Sequence, residues 1–397
     1  MKIALAASLA VAAAVFAVPA TADTVVKIGV INSYTGVVAE AAAEAQRGVD
    51  LYLKEHQTEL PAGVRVEILR RDDTASPEVG KRLAQELIAR EHVQLLTGLL
   101  QSPIAAAIAP LTVEAKVPML ISFAAGGSAL TRLSPYVAHV ACTLWQEGYP
   151  IGKWAAEQGW KTAFTAVSDY IPGHDSEASF SKGFADGGGR VVGTIRFPLA
   201  TVDFAPFMQR IRDARPDVAF LWVPSGPQST ALIGSIRDLG LREAGIHITS
   251  SENLLPDEEL PNMGDTPLGI ISSGIYSTAA ERPANRSFLA AWQREYGDRD
   301  IPNYLSVDGW DGMRAVFGLI RATGGSFTAD QAMEFFRKWQ DPDSPRGPIM
   351  IDPETRDIIQ NVYIRRAEKR DGKLVNVEIA TVPQVKDPWK ELNPEKK

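Results

Sequence analysis

Short apolar runs alternate with amphipathic stretches through the first third of the chain. Four of these runs are predicted to be buried strands, and they cover residues 25–31, 64–69, 95–97 and 117–121. The segments between them carry helix-start signals and apolar residues at helical spacing, which predicts helices. Strands separated by helices form parallel pairs with right-handed crossovers, so this part predicts a doubly wound parallel-sheet α/β lobe.

The same alternation starts again with a predicted strand over residues 137–141. Further predicted strands cover residues 162–167, 191–196, 218–223 and 246–249. The last of these is predicted to complete a second sheet, and residues 269–275 are predicted to form a strand that leaves it. The repeated pattern predicts two similar lobes.

We expect each lobe to combine two separate stretches of the chain, joined to the other lobe by a hinge. Helices are predicted over residues 283–296 and 304–322, and a hairpin-like pair follows at 349–351 and 359–365. The predicted N-terminal lobe is 23–141 plus 276–345, and the predicted C-terminal lobe is 142–275 plus 346–397.

Loops of small residues follow the third and fourth predicted strands. In open parallel sheets, ligands bind outside the carboxyl ends of the strands. Ser102 is the predicted N-cap of a helix whose first N–H groups carry partial positive charge, and Phe123, Ala124, Ala125 and Gly126 let a ligand approach the main chain. These loops suit an anionic group. The alternative is that Ser102 only caps its helix and the glycines only form a turn.

Other strand exits carry further candidate ligand-binding residues, which are Tyr34, Gln101, Trp145, Asp169, Tyr170, Trp222, Glu252 and Asn253. Two lobes with these edges facing each other would form a cleft with aromatic walls and few polar groups, as a small-molecule site requires. Trp222 lies in an apolar strand, where core packing is an equal alternative to ligand stacking. Glu252 follows three small polar residues at a strand end, which favours a binding role.

The composition is that of an ordinary globular protein with a mild acidic excess. The 397 residues carry a net charge of −7, with 45% hydrophobic and 22% charged residues. This balance gives no support for a nucleic acid or an anionic membrane surface as a partner. Cys142 is the single cysteine, so no internal disulfide can form.

The first 22 residues are predicted to be a cleaved export signal. Met1 and Lys2 precede an apolar run over 3–18, and the small residues up to Ala22 match a signal-peptidase site, so the mature chain is predicted to begin at Asp23. No other stretch is long and apolar enough to span or insert into a bilayer. We therefore expect a periplasmic monomer without a membrane anchor.

Sequence signatures of catalysis are missing. The chain has no nucleophile elbow and no phosphate-binding Walker loop, and its three consecutive glycines at 187–189 lie between a helix and a strand, the wrong order for a dinucleotide site. The histidines lack metal-ligand spacing. We predict no catalytic residue, no cofactor and no metal.

Five segments at the predicted strand ends resemble one known family. They are KIGVINSYTG at 27–36, RRDDTASPEVG at 70–80, TGLLQSPIAAAIAP at 97–110, VPMLISFAAGGSALT at 117–131 and ITSSENLL at 248–255. In this order they resemble the periplasmic leucine/isoleucine/valine-binding proteins, the type I solute-binding proteins of ATP-driven (ABC) importers. The resemblance covers about residues 25–322. It implies that a small ligand is captured by hinge closure and presented to membrane permease subunits.

The resemblance also implies roles for particular residues. In the amino-acid binders of this family, a serine and an Ala-Ala-Thr segment hold the ligand carboxylate, and a glutamate holds the ammonium. Ser102 and Glu252 match, whereas Gly126 stands in place of the threonine. A tyrosine expected in the second lobe is replaced by Pro172 or displaced to Tyr170.

These departures favour a flat aromatic carboxylate over a zwitterionic amino acid as the ligand. Glu252 argues the other way, because an unpaired carboxylate repels an anion unless it is protonated or faces a hydroxyl or amine. Three alternatives therefore stay open. They are a site for branched-chain or other amino acids or amides, a ligand sensor without transport, and an enzyme on the same scaffold.

Overall fold

The first of two β-sheets is formed by the N-terminal part of the chain. The computed structural model describes residues 24–123 and 126–394, so the predicted export signal, Ala124 and Ala125 lie outside the described residues. The first sheet is parallel, has the order β2-β1-β3-β4-β5, and contains β1 (Thr24–Asn32), β2 (Val64–Asp72), β3 (Leu95–Gly98), β4 (Met119–Ile121) and β5 (Val137–His139). Its crossover helices are α1 (Ala39–His56), α2 (Pro77–Ala89) and α3 (Ser102–Ala115).

The run at 137–141, where the second alternation was predicted to start, pairs within this first sheet. β5 pairs in parallel with β4 through Met119 and Val137, and its residues are fully buried. The chain then leaves for the second lobe through residues 140–143. The doubly wound first lobe is otherwise confirmed.

The second sheet mixes parallel and antiparallel strands. Its parallel part has the order β10-β9-β8-β6-β7 and contains β6 (Thr162–Ser168), β7 (Arg190–Phe197), β8 (Val218–Trp222), β9 (His247–Ser251) and β10 (Ile271–Gly274). Its helices are α4 (Leu144–Glu157), α5 (Ile171–Asp186), α6 (Ala205–Ala214) and α7 (Pro227–Asp238).

The prediction that the second sheet ends at residue 249 is wrong. β10 was expected to leave the sheet, but it pairs in parallel with β9 and antiparallel with a long C-terminal strand. That strand belongs to an antiparallel extension made of β11 (Gln340–Asp341), β12 (Ile349–Ile351), β13 (Ile358–Arg370) and β14 (Lys373–Val385). The predicted hairpin-like pairing of β12 with β13 is confirmed.

Helices from the C-terminal half return to the first sheet. They are α8 (Pro283–Tyr296), α9 (Tyr304–Thr323) and α10 (Ala329–Phe336), and the short α11 (Pro388–Leu392) ends the described chain. α9 lies against α1 at very short range. A Cβ on Gly48 would sit 1.8 Å from the Ser306 carbonyl oxygen, and one on Gly309 would sit 2.2 Å from that of Ala45. Only glycine at both positions allows this helix contact.

A buried arginine forms hydrogen bonds to both lobes at the hinge. Arg346 lies between β11 and β12, and its guanidinium donates to Asp308 at 2.9 Å, to Asp311 at 2.8 Å and to the Val140 carbonyl at 2.9 Å. It also donates to Gln360 on β13 at 2.9 Å. A fully buried guanidinium is stable only when its charge and its N–H groups are matched, as they are here.

No helix within the described ranges combines the length and apolar character needed to cross a membrane.

Candidate functional site

A cavity of about 60 Å³ lies where the strand-exit loops of the two sheets meet. Seven of the residues predicted from the sequence line it, namely Gln101, Ser102, Phe123, Gly126, Tyr170, Trp222 and Asn253. Its volume is far below the roughly 300–1,000 Å³ of sites for drug-sized molecules, which excludes a ligand of that size in this arrangement of the lobes.

On the first lobe, a kinked turn places Ser102 at the cavity. Gly98 and Leu99 both have positive φ angles, of 95° and 69°, and the second is unfavourable for a side chain with a Cβ. The Leu99 N–H donates to the Ile31 carbonyl at 2.8 Å, and the Leu100 N–H donates to the Asn32 side chain at 3.2 Å. These bonds hold the turn between β3 and α3 against its strain.

The Ser102 side chain does not cap α3. The helix begins at Ser102 itself, and its N-cap is Gln101, which makes no capping hydrogen bond. The Ser102 hydroxyl is buried, and among the described residues it has no hydrogen-bond partner. An unpaired buried hydroxyl is unfavourable. It is therefore free to donate to a ligand group at the first turn of α3, where the helix dipole favours negative charge.

Gly126 and Gln101 complete this end of the cavity. A Cβ on Gly126 would lie 2.9 Å from the Pro172 Cα and 3.1 Å from the Ser102 Oγ. The two lobes therefore approach each other here at a distance that only glycine permits. Gln101 is oriented by its side-chain amide, which donates to the Ser33 hydroxyl at 3.2 Å.

Aromatic rings form the wall on the second lobe. The Tyr170 and Trp222 rings lie 5.9 Å apart at 44°, and Phe123 faces the cavity from the first lobe. Trp222 is 2% exposed, so it packs in the core as well as lining the cavity. Its indole N–H donates to the Asn253 side-chain oxygen at 3.1 Å, which orients the Asn253 amide.

A polar cluster joins the two lobes beside these rings. The Asn253 amide donates to the Tyr304 hydroxyl at 2.8 Å, and that hydroxyl also lies 2.9 Å from the Ser225 Oγ. Burial raises the pKa of the Tyr304 phenol well above its usual range, so the group is neutral and can both donate and accept. We define Asn253, Tyr304 and Ser225 as the hydroxyl cluster.

Tyr304 and Ser225 were not predicted as site residues. Tyr304 is the first residue of α9, which the sequence predicted only as a helix. The one local signal was the N-cap Asn303, whose side chain accepts from the Leu305 N–H at 2.8 Å. That cap marks where α9 starts, but it does not show which loop α9 starts beside.

Glu252 lies beneath the cavity and does not line it. Its side chain is 1% exposed, accepts from the Ile275 N–H at 2.9 Å, and forms an ion pair of 3.5 Å with Arg365 on β13. Glu147 lies beside it and accepts from the Cys142 thiol at 3.2 Å. Burial raises the pKa of both carboxyl groups, and the Glu252 charge raises that of Glu147 further, whereas Arg365 opposes the rise at Glu252. Of the two carboxyl groups, Glu147 is therefore the one that is more strongly favoured to hold a proton.

Three other predicted residues lie away from the cavity lining. The Tyr34 hydroxyl donates to Gln46 at 2.5 Å, which turns the ring toward α1. Trp145 is buried on α4. Asp169 is exposed and lies 2.7 Å from the ring nitrogen of His174. Ala124 and Ala125 lie outside the described residues, within which no group of three or more His, Cys, Asp or Glu side chains could hold a metal ion.

Comparisons with known proteins agree with this architecture. A solute-binding protein of an ABC transporter from Rhodopseudomonas palustris BisB5, solved with 3,4-dihydroxybenzoic acid, shares 41% identity at a TM-score of 0.88, covering 92% of this chain and 99% of that one. A second, from R. palustris and solved with 4-hydroxybenzoate, shares 40% identity at a TM-score of 0.86, covering 91% and 98%.

Sequence relatives extend over the same length. Leu/Ile/Val-binding protein homolog 6 of Brucella melitensis is 39% identical over 383 residues, which are 95% of this chain and 97% of the relative. The family model described as periplasmic binding protein matches residues 25–373. With two lobes, a cleft at the strand exits and a match over nearly its whole length, the chain belongs to the periplasmic binding protein family.

Proposed function

We propose that this protein captures a hydroxylated aromatic carboxylate, of the hydroxybenzoate class, between its two lobes and delivers it to the permease subunits of an ABC importer. One observation carries the proposal. The buried Ser102 hydroxyl has no hydrogen-bond partner among the described residues, and Ser102 lines a small aromatic-walled cavity. Such a hydroxyl at a helix start suits a ligand carboxylate.

The two ends of the cavity differ in chemistry as the two ends of a hydroxybenzoate do. Ser102 and the first turn of α3 favour an anion, whereas the neutral hydroxyl cluster can exchange hydrogen bonds with a ring hydroxyl. Between them, Phe123 on one lobe and the Tyr170 and Trp222 rings on the other suit a planar ring.

The position of Glu252 disfavours an α-amino acid. In the amino-acid binders that the sequence resembles, this glutamate holds the ligand ammonium. Here its charge is opposed by Arg365 and one of its oxygens accepts from a backbone N–H, both within the protein. Glu252 also lies outside the cavity lining, so its carboxylate is not offered to an ammonium in the cavity, and Gly126 supplies no hydroxyl to a second carboxylate oxygen.

The relatives support the same ligand class. Two R. palustris solute-binding proteins at 40–41% identity were solved with 4-hydroxybenzoate or 3,4-dihydroxybenzoic acid. Both ligands have a carboxylate and a ring hydroxyl at opposite ends. The cavity lining offers a group for each of these ends, Ser102 for a carboxylate and the hydroxyl cluster for a ring hydroxyl.

Export and quaternary state complete the proposal. We assign residues 1–22 as the cleaved signal, and the lobes as 23–141 plus 276–345 and 142–275 plus 346–397. The return of α8 and α9 to the first sheet supports this division. In the periplasm, the protein is proposed to act as a monomer that closes by hinge bending, a motion known for periplasmic binding proteins as a class.

A thermal-shift screen of the mature chain, refolded to remove bound ligand, tests the ligand class. We expect 4-hydroxybenzoate and 3,4-dihydroxybenzoate to raise the Tm, because a ligand at a hundred times its Kd adds about 2.7 kcal/mol to the stability of the folded state. Leucine, valine and simple amides are the comparison set. Stabilisation by leucine or valine but by no aromatic acid would contradict the proposal.

A further inference from the structure

A hydrogen bond crosses the cleft between the two lobes outside the cavity. The Gly127 N–H, on the loop after β4, donates to the Asp175 carboxylate at 2.5 Å. Asp175 lies on α5 in the second lobe, and Gly127 belongs to the loop that carries Gly126 in the first. Neither Asp175 nor Gly127 lines the cavity. The bond therefore connects the lobes without direct ligand contact.

The backbone on both sides of this bond is held tightly. A Cβ on Gly173 would lie 1.9 Å from the Ser168 carbonyl oxygen, so the start of α5 packs directly on the end of β6. Pro172 lies against Gly126 across the cleft at a distance that a Cβ would not allow. These close contacts bring the start of α5 against the loop after β4, which places Asp175 within hydrogen-bond distance of the Gly127 N–H.

We propose that Asp175 is a positioning residue for ligand capture, whose hydrogen bond to the Gly127 N–H latches the two lobes in the closed arrangement. The inference rests on the proposed capture of a ligand between the lobes. A bond that forms only when the lobes meet adds its free energy to the closed state, whatever ligand is held. Its loss lowers the affinity for every ligand by the same factor.

The test compares the mature protein with Asp175→Ala and Asp175→Asn, with 4-hydroxybenzoate and benzoate as ligands in titration calorimetry and stopped-flow fluorescence. Loss of a charge-assisted hydrogen bond predicts a Kd about tenfold higher in Asp175→Ala, mainly through faster dissociation. The ratio of the two Kd values is expected to stay unchanged. Asp175→Asn, which keeps a neutral acceptor, is expected to fall between the wild type and the alanine variant.

Glu177→Gln is the matched control, because Glu177 lies on the same helix and pairs with Arg196 within its own lobe. It is expected to bind like the wild type. Closure is measured independently of affinity by the distance between dyes at Arg65→Cys and Arg237→Cys, two exposed positions on opposite lobes. Cys142 is buried and burial raises the pKa of its thiol, so it resists labelling.

The outcomes separate the latch from the ligand proposal. A lower closed fraction in Asp175→Ala at saturating ligand, with an unchanged Kd ratio, supports the latch. Wild-type affinity in Asp175→Ala, a changed Kd ratio, or an equal loss in Glu177→Gln overturns it. If the wild type binds neither acid, the proposed function fails. In that case the latch is still tested by the dye distance in the wild type and in Asp175→Ala, both measured without ligand. Equal closed fractions in these two proteins would overturn the latch.

Discussion

Replacing Ser102 with alanine removes one buried oxygen and keeps the Cβ in place. Ser102 is 1% exposed in the folded protein, and its hydroxyl oxygen has no hydrogen-bond partner among the described residues. The substitution therefore breaks no protein contact that the structure shows. It separates the cost to ligand binding from the cost to folding.

The two free energies are expected to move in different directions. A hydrogen bond to a charged group contributes about 1.5–3 kcal/mol, so the Kd for 4-hydroxybenzoate should rise roughly 10- to 150-fold. Stability without ligand should stay level or rise by up to about 1 kcal/mol, because alanine is the better helix former and an unpaired buried hydroxyl is lost.

Titration calorimetry gives the Kd, and urea unfolding in the absence of ligand gives the stability. Ser176→Ala is a matched control, since its hydroxyl is also buried on a helix and has no hydrogen-bond partner among the described residues, but it does not line the cavity. A neutral ligand, 4-hydroxybenzamide, should lose less affinity than 4-hydroxybenzoate. An unchanged Kd for 4-hydroxybenzoate, or a stability loss as large as the affinity loss, would refute the assignment of Ser102 to the carboxylate.

Three further substitutions test other parts of the site. Tyr304→Phe should weaken 4-hydroxybenzoate about tenfold while benzoate is nearly unaffected, and an equal loss for both acids in calorimetry would contradict the hydroxyl cluster. Burial raises the pKa of Glu147 in the folded protein. The protonated carboxyl therefore contributes fully to wild-type stability below the ordinary glutamate pKa, and this contribution is lost as the pH rises through the folded pKa. The wild type loses at most about 1.4 kcal/mol of stability per pH unit in this way, and Glu147→Gln, which does not titrate, does not. Urea unfolding from pH 5 to 8 should therefore show Glu147→Gln becoming more stable relative to the wild type as the pH rises. A stability difference that does not change with pH would contradict the raised pKa of Glu147. Arg365→Met removes the cation beside the buried Glu252 carboxylate and should lower the stability by about 3–5 kcal/mol at pH 7 in the same assay. The loss should be smaller at lower pH, where the Glu252 carboxyl is protonated, and a loss independent of pH would exclude an unpaired Glu252 carboxylate as its cause.

Local pattern in the sequence determined the two-lobed α/β architecture. Apolar runs and helix starts identify parallel strands and their crossovers, and a parallel strand presents its exit loop at one edge of its sheet. This is why Ser102, Phe123, Tyr170 and Trp222 could be placed at a shared cleft before any contact was known. The positions of these residues at the predicted strand ends are enough to predict that they lie near one another.

Tertiary structure decided what those residues do. α3 begins at Ser102 itself, one residue earlier than predicted, so the Ser102 hydroxyl does not cap the helix and has no hydrogen-bond partner among the described residues. Tyr304 reaches the cavity only because α9 returns to pack on α1. No local pattern encodes that return.

The ion-pair partner of Glu252 could not be predicted from the sequence either. Arg365 reaches it because β13 adds antiparallel to β10, a pairing between segments far apart in the sequence. Hydrophobic periodicity reports which face of a strand is buried, but not which strand lies beside it. The sequence therefore placed the candidate site at the strand exits, and long-range pairing brought Arg365 beside Glu252 within the protein.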